Sequence, residues 1–193
     1  MPRYVKVAAA QLGPINEGTS RGEVVDRMLA LLDQAVEEST ELLVYPELAL
    51  TPYFPKRIRD DYAQFFEPEM PSNVVEPLFR KAREARVAFH LGYAERDGDR
   101  RYNTAILVDE DGTIFEKYRK THLPGVTKPD GYAKVYEPYY FDYGDMGFKV
   151  FDAKKAKVGI SICQDRRYPE SYRCLGLQGA EIIVNGYNTP AYP

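Results

Sequence analysis

Gly159-Ile160-Ser161-Ile162-Cys163-Gln164-Asp165-Arg166-Arg167-Tyr168-Pro169-Glu170 joins an apolar, strand-like run to a cysteine, then to charged side chains and a proline that can open a helix. That layout presents a thiol at a strand end, where backbone N–H groups of the following turn can face a developing oxyanion. It reads as a nucleophile elbow built on cysteine, although no GxSxG is present. Two further polar residues follow strand-like runs, Glu47 after Leu42-Leu43-Val44-Tyr45-Pro46 and Lys120 after Thr113-Ile114-Phe115-Glu116-Lys117-Tyr118-Arg119. A carboxylate can take the thiol proton and later activate water. A thiolate can attack an sp² carbon, and an ammonium can stabilise thiolate and tetrahedral oxyanion alike. Together the three suit hydrolysis of a C–N bond. Taken one at a time they also fit plainer roles: a small buried hydrophobe for Cys163, a cap for Glu47, a surface charge for Lys120.

The elements that must position them are legible from periodicity. A strand is expected over 5–12 and a helix over 21–38, where Val24, Val25, Met28, Leu29, Leu32, Ala35 and Val36 recur at helical spacing. A short buried strand follows at 42–45, a second amphipathic helix at 74–86 and a strand at 87–93, giving a βαβαβ order. Residues 102–108 and 113–118 read as a hairpin about the turn Asp109-Glu110-Asp111-Gly112. Beyond a loop rich in Pro, Gly and Tyr over 121–145, strands are expected at 148–151 and 157–162, a helix over 169–179 and a strand at 181–184. The fold class is α/β with mixed sheets, helices covering one face. In such open sheets ligands bind beyond the strand C-termini, so strand-end side chains can converge despite distance in sequence.

Composition narrows the function classes. The 193 residues, 44% hydrophobic and 28% charged, suit a single domain spanning 1–193 with a sizeable core. A net charge of −3, with Lys and Arg scattered, gives no footprint for nucleic acid. The 16 tyrosines accompany no basic groove and are read as packing and pocket walls. No apolar run approaches the ~20 residues of a membrane span, and the N-terminus lacks the apolar core of a signal peptide, so a cytoplasmic protein is expected. Cys163 and Cys174 form no CxxC pair, so free thiols are expected, with no structural disulfide and no zinc. His90, in an apolar strand, reads as a satisfied core histidine.

Tyr45-Pro46-Glu47, Tyr118-Arg119-Lys120-Thr121-His122-Leu123-Pro124-Gly125 and Cys163-Gln164-Asp165-Arg166-Arg167-Tyr168-Pro169-Glu170 resemble the three signatures of the nitrilase superfamily, in order. The Arg166-Arg167 pair, the His122-Leu123-Pro124-Gly125 run and Gly186-Tyr187-Asn188-Thr189-Pro190 are most similar to its N-carbamoyl-D-amino acid amidohydrolases. The resemblance implies a four-layer α-β-β-α sandwich, usually paired with another subunit through a helical face. A homodimer or homotetramer is therefore expected. It implies Glu47 as general base, Lys120 as oxyanion-stabilising cation, Cys163 as nucleophile and Glu137 as auxiliary glutamate. The Gln164 N–H would be a second oxyanion donor, and Arg166 and Arg167 would hold a substrate carboxylate. Asn188 and Thr189 match substrate-contacting positions, and His122 would support the site. The implied substrate is a small N-carbamoyl amino acid, with no metal and no organic cofactor.

Two positions depart from the pattern: Gln164 stands where Asn is expected, and Val135 where a histidine is expected. The family's chains continue past the Asn-Thr-Pro segment, so a sandwich lacking its C-terminal part, with exposed edges, is expected. Two other readings stay open, another amidase or β-ureido acid hydrolase of the superfamily, and a non-catalytic assembly module derived from such an enzyme.

Overall fold

The computed structural model describes residues 3–129, 132, 134–153 and 155–188. β1 (Val7–Ala9) leads to α1 (Arg21–Glu37), whose start is fixed by a capping box: Glu23 N donates to Ser20 Oγ, and Ser20 N donates to Glu23 Oε2 at 2.7 Å. β2 (Leu42–Val44), α2 (Glu76–Ala85) and β3 (Ala88–Asp97) complete the expected βαβαβ order, with β1, β2 and β3 parallel neighbours. β4 (Arg100–Val108) returns antiparallel to β3 in register from Phe89↔Val108 to Asp97↔Arg100, and β5 (Tyr118–Arg119) closes the five-stranded sheet.

The expected hairpin forms: Gly112 N donates to Asp109 O and Phe115 N to Leu107 O, both at 2.9 Å, and the return strand pairs antiparallel with β4 through the Val108↔Ile114 bridge and then β5. A longer hairpin, β3–β4, precedes it. Its Glu95-Arg96-Asp97-Gly98-Asp99-Arg100 tip is so highly charged that strand alternation is invisible there.

After the short helix α3 (Glu137–Tyr140), the second sheet consists of β6 (Val150–Ala153), β7 (Ala156–Ile162) and β8 (Ile182–Gly186). β6 and β7 are antiparallel, whereas α4 (Pro169–Leu177) crosses between β7 and β8 so that these two run parallel. Strand alternation assigns each face. Leu42, Ala88, Ala105, Leu107 and Tyr118 of the first sheet meet Phe151, Val158, Ile160, Ile162 and Val184 of the second in one core. Leu43, Phe89, Leu91, Ile106 and Val108 point the other way, onto Val24, Met28 and Leu32 of α1 and Leu78 and Ala82 of α2. Each such aliphatic side chain contributes about 1.5–3 kcal/mol on full burial.

The outer face of the second sheet is covered by α4, whose Leu175 lies against Gly159. Helices therefore cover the outer face of each sheet, and the layers read α-β-β-α as expected. A third cluster, Leu48, Phe54, Phe66, Ala94, Tyr140 and Phe141, lies beneath the loops that carry the polar residues. Among the described residues no helix is long and apolar enough to cross a membrane.

Candidate active site

Four chain segments deliver four side chains to one place. β2 ends in the tight Tyr45-Pro46-Glu47 turn, which Leu48 leaves with φ +47°. Two close approaches shape this turn. At Gly92 of β3 a Cβ would lie 2.7 Å from Pro46 O and 2.8 Å from Glu47 Cα, and at Gly186 of β8 it would lie 3.0 Å from Glu47 N. Both strands present bare backbone where the glutamate loop passes between the sheets. His90 supports the same loop through a 3.1 Å contact of Nδ1 with Tyr45 O. Fully buried, it has its pKa lowered by desolvation to about 4, so its ring is neutral; its Nε2 is buried with no hydrogen-bond partner among the described residues, so the expected core histidine is only half satisfied.

The Glu47 carboxylate is fully buried. Its Oε1 accepts from Lys120 Nζ at 2.6 Å and from Asn103 Nδ2 at 2.8 Å, and its Oε2 accepts from Asn188 N at 3.0 Å. Lys120, just past β5, also donates to Glu137 Oε1 and Oε2, both at 2.8 Å. Tyr53 donates to Glu137 Oε1 at 2.6 Å. One ammonium thus sits between two buried carboxylates. Burial alone would favour the neutral amine, but Glu47 and Glu137 hold Lys120 protonated well above the ordinary lysine range. A single cation cannot balance two anions in a dry site. Burial, opposed by Lys120 but reinforced by the Glu47 charge, pushes Glu137 up to about 7.

Cys163 follows β7 at φ +42°, in the left-handed region that non-glycine residues rarely adopt, and opens a 3-10 turn, Cys163–Arg167. Its Sγ lies 3.8 Å from Asn188 O and 3.5 Å from an Arg166 guanidinium nitrogen. Burial and then the Glu47 charge push the thiol up to about 11, against the pull of Lys120. Cys163 therefore rests as a thiol, with Glu47 and Glu137 as the carboxylates whose charges reach it.

Asp165 ties this elbow to the lysine loop. Its buried carboxylate accepts from Ile162 N at 2.9 Å, Tyr118 Oη at 2.7 Å, His122 N at 3.0 Å and His122 Nδ1 at 2.8 Å. His122 in turn stacks on Tyr168, with ring centroids 3.9 Å apart.

Glu47, Lys120, Glu137 and Cys163 are thus brought together. His122 supports the elbow through Asp165. Asn188 joins them: besides the contacts above, its Nδ2 donates to Glu47 O at 3.3 Å. Gln164 is half-buried in the turn, Arg166 is partly buried against the cysteine, and Arg167 is exposed. Thr189 lies outside the described residues.

Sequence reasoning missed Tyr53, Asn103 and Asp165. A buried Asn inside the alternating strand Tyr102-Asn103-Thr104-Ala105 is a signal that was available, because a polar side chain at an inward position needs a partner. The Asp of Cys-Gln-Asp was visible too, but three of its four donors come from the Tyr118–His122 stretch, which only the fold brings to it.

The chain matches the carbon-nitrogen hydrolase family over residues 6–193. It is 34% identical over 180 residues to a citrullinase of Francisella tularensis, covering 93% of this chain and 60% of that protein. It is 31% identical over 181 residues to an N-carbamoylputrescine amidase of Solanum tuberosum, covering 94% and 57%. The chain therefore spans somewhat under two thirds of the length of these curated relatives. A carbon-nitrogen hydrolase crystal structure from Helicobacter pylori G27 superposes with a TM-score of 0.81 at 28% identity, covering 95% of this chain and 59% of that one. With its α-β-β-α layers and the match running nearly end to end, the chain belongs to the carbon-nitrogen hydrolase family of the nitrilase superfamily.

Proposed function

We propose that the chain hydrolyses N-carbamoyl-D-amino acids to the D-amino acid, ammonia and carbon dioxide. The observation that carries this reading is Lys120 clamped between Glu47 and Glu137 beside a strand-end cysteine. Glu47 takes the Cys163 proton as sulfur attacks the ureido carbon, and Lys120 with the Gln164 N–H stabilises the tetrahedral anion. Glu47 returns the proton to the departing nitrogen, releasing ammonia and leaving a carbamoyl thioester on Cys163. It then deprotonates water, which attacks the thioester and expels the thiolate. The product carbamic acid decomposes to carbon dioxide and amine.

Glu137, held by Lys120 and Tyr53, keeps the ammonium oriented and limits net negative charge in the site. An exposed guanidinium at Arg167 suits recognition of the substrate carboxylate. The reacting group agrees with the names of the two relatives, since N-carbamoylputrescine and citrulline both carry a carbamoylated amine. Those names also favour a second reading, a longer ureido substrate whose carboxylate is remote or missing.

A substrate panel separates the two. Arg167→Gln should raise KM at least about tenfold for an N-carbamoyl-α-amino acid while leaving that for N-carbamoylputrescine within about twofold, the loss of one charge-assisted contact. Equal losses on both substrates would remove the carboxylate from the recognition scheme.

A further inference from the structure

We propose that Arg166 is a catalytic residue that stabilises the Cys163 thiolate. The inference rests on Cys163 as the nucleophile, but not on the identity of the substrate.

In a 3-10 turn, side chains three residues apart lie on the same side. Cys163–Arg167 is such a turn, and it folds Arg166 back over residue 163. One terminal guanidinium nitrogen donates to Cys163 O at 2.8 Å and lies 3.5 Å from Sγ. The guanidinium is steadied from the other side by Tyr187, whose ring centroid is 4.9 Å from Cζ. Held this way, Arg166 satisfies the carbonyl of a residue in the left-handed region and keeps a cation beside its sulfur.

The remaining charges around the thiol make that cation necessary. Glu47 beyond β2, Glu137 of α3 and Lys120 beyond β5 face the sulfur, with Tyr53 nearby. The carbonyl of Asn188, beyond β8, approaches it as well. Every one of these except Lys120 is anionic or neutral. An ammonium has three donors, and Lys120 directs contacts of 2.6, 2.8 and 2.8 Å to the two carboxylates. A guanidinium has five N–H donors and has donors to spare after its bond to Cys163 O. Sulfur carries negative charge when Glu47 removes its proton and again when water expels it. In both events Arg166 is the cation whose charge is not already matched by a buried carboxylate.

The test uses alkylation of Cys163, which needs no substrate. In a Cys174→Ser background, so that one thiol remains, the rate of iodoacetamide addition is followed by intact mass over a pH series. Arg166→Gln should slow alkylation roughly tenfold below the thiol midpoint and move that midpoint up by about one unit. Arg166→Met is measured alongside, so that a folding defect in one variant does not decide the result. Arg166→Lys should recover most of the rate, and Arg173→Gln, an exposed charge on α4, should leave the profile unchanged. Profiles of the Gln and Met variants that superpose on the parent would overturn the proposal. So would equal slowing in Gln, Met and Lys variants with the midpoint unmoved, which marks a structural role. An unreactive Cys163 in the parent would overturn the nucleophile assignment itself.

Discussion

Replacing Asp165 with Asn tests whether this carboxylate joins the elbow to the lysine loop. The side chain is fully buried and accepts four hydrogen bonds, two at each oxygen: His122 N and Nδ1 at Oδ1, and Tyr118 Oη and Ile162 N at Oδ2. Asparagine is nearly isosteric but has one acceptor oxygen. Its amide nitrogen must face one of these pairs, and each includes a backbone N–H, His122 N or Ile162 N, that cannot become an acceptor. At least one bond to a charged group, worth roughly 1.5–3 kcal/mol, is lost. The expected destabilisation is therefore about 1.5–3 kcal/mol, against the roughly 5–15 kcal/mol of a typical domain. With a urea slope near 2–3 kcal/mol/M for a chain of this size, the midpoint should fall by about 0.5–1.5 M. Urea unfolding followed by far-UV circular dichroism measures it. A midpoint matching the parent to within about 1 kcal/mol would refute the view that this carboxylate couples the two segments.

Three further outcomes follow from the same contacts. Gly92→Ala places a Cβ 2.7 Å from Pro46 O and 2.8 Å from Glu47 Cα, backbone atoms that cannot rotate away. It should cost about 1–3 kcal/mol in thermal or urea stability and lower kcat more than KM as Glu47 is displaced. Lys120→Met leaves Glu47 and Glu137 buried without their cation, so turnover should vanish and stability fall by about 3–5 kcal/mol at neutral pH. The deficit should shrink on acidification as Glu137 protonates, which unfolding at two pH values would show. Glu137→Gln removes a group whose folded pKa is raised, from 4.5 to about 7. The folded state then holds more protons than the unfolded one between these values. The stability Glu137 contributes is full below about pH 4.5 and is lost as pH rises through about 7, by up to roughly 3 kcal/mol. The variant should lack that decline. His90, with its pKa lowered to about 4, then contributes a slope of opposite sign over about pH 4 to 6.5, where the unfolded state holds more protons.

Much of this architecture was legible because the core follows simple periods. The helical spacing of Val24, Met28, Leu32 and Ala35 marks α1, and all four are buried. Val36, on the same expected stripe but in the last turn of α1, is 39% exposed. The apolar run to Cys163 located β7, and the order of Glu47, Lys120 and Cys163 located three of the four converging groups.

What stayed hidden depends on contacts between segments. Nothing local to Lys120 says that both Glu47 and Glu137 bind it, 73 and 17 residues away. Asn188, expected at a substrate-contacting position, also touches Glu47 and Cys163 through its backbone, across 141 and 25 residues of sequence. The β3–β4 hairpin is not legible beside the expected one at 102–118, because the charged residues at its tip mask alternation.

The most direct test is ammonia release from N-carbamoyl-D- and N-carbamoyl-L-amino acids by the purified chain, with Cys163→Ala as the blank. D-selective release that disappears in the variant is the predicted result. Release that persists in Cys163→Ala, or no release from either enantiomer by a folded chain, would contradict the account.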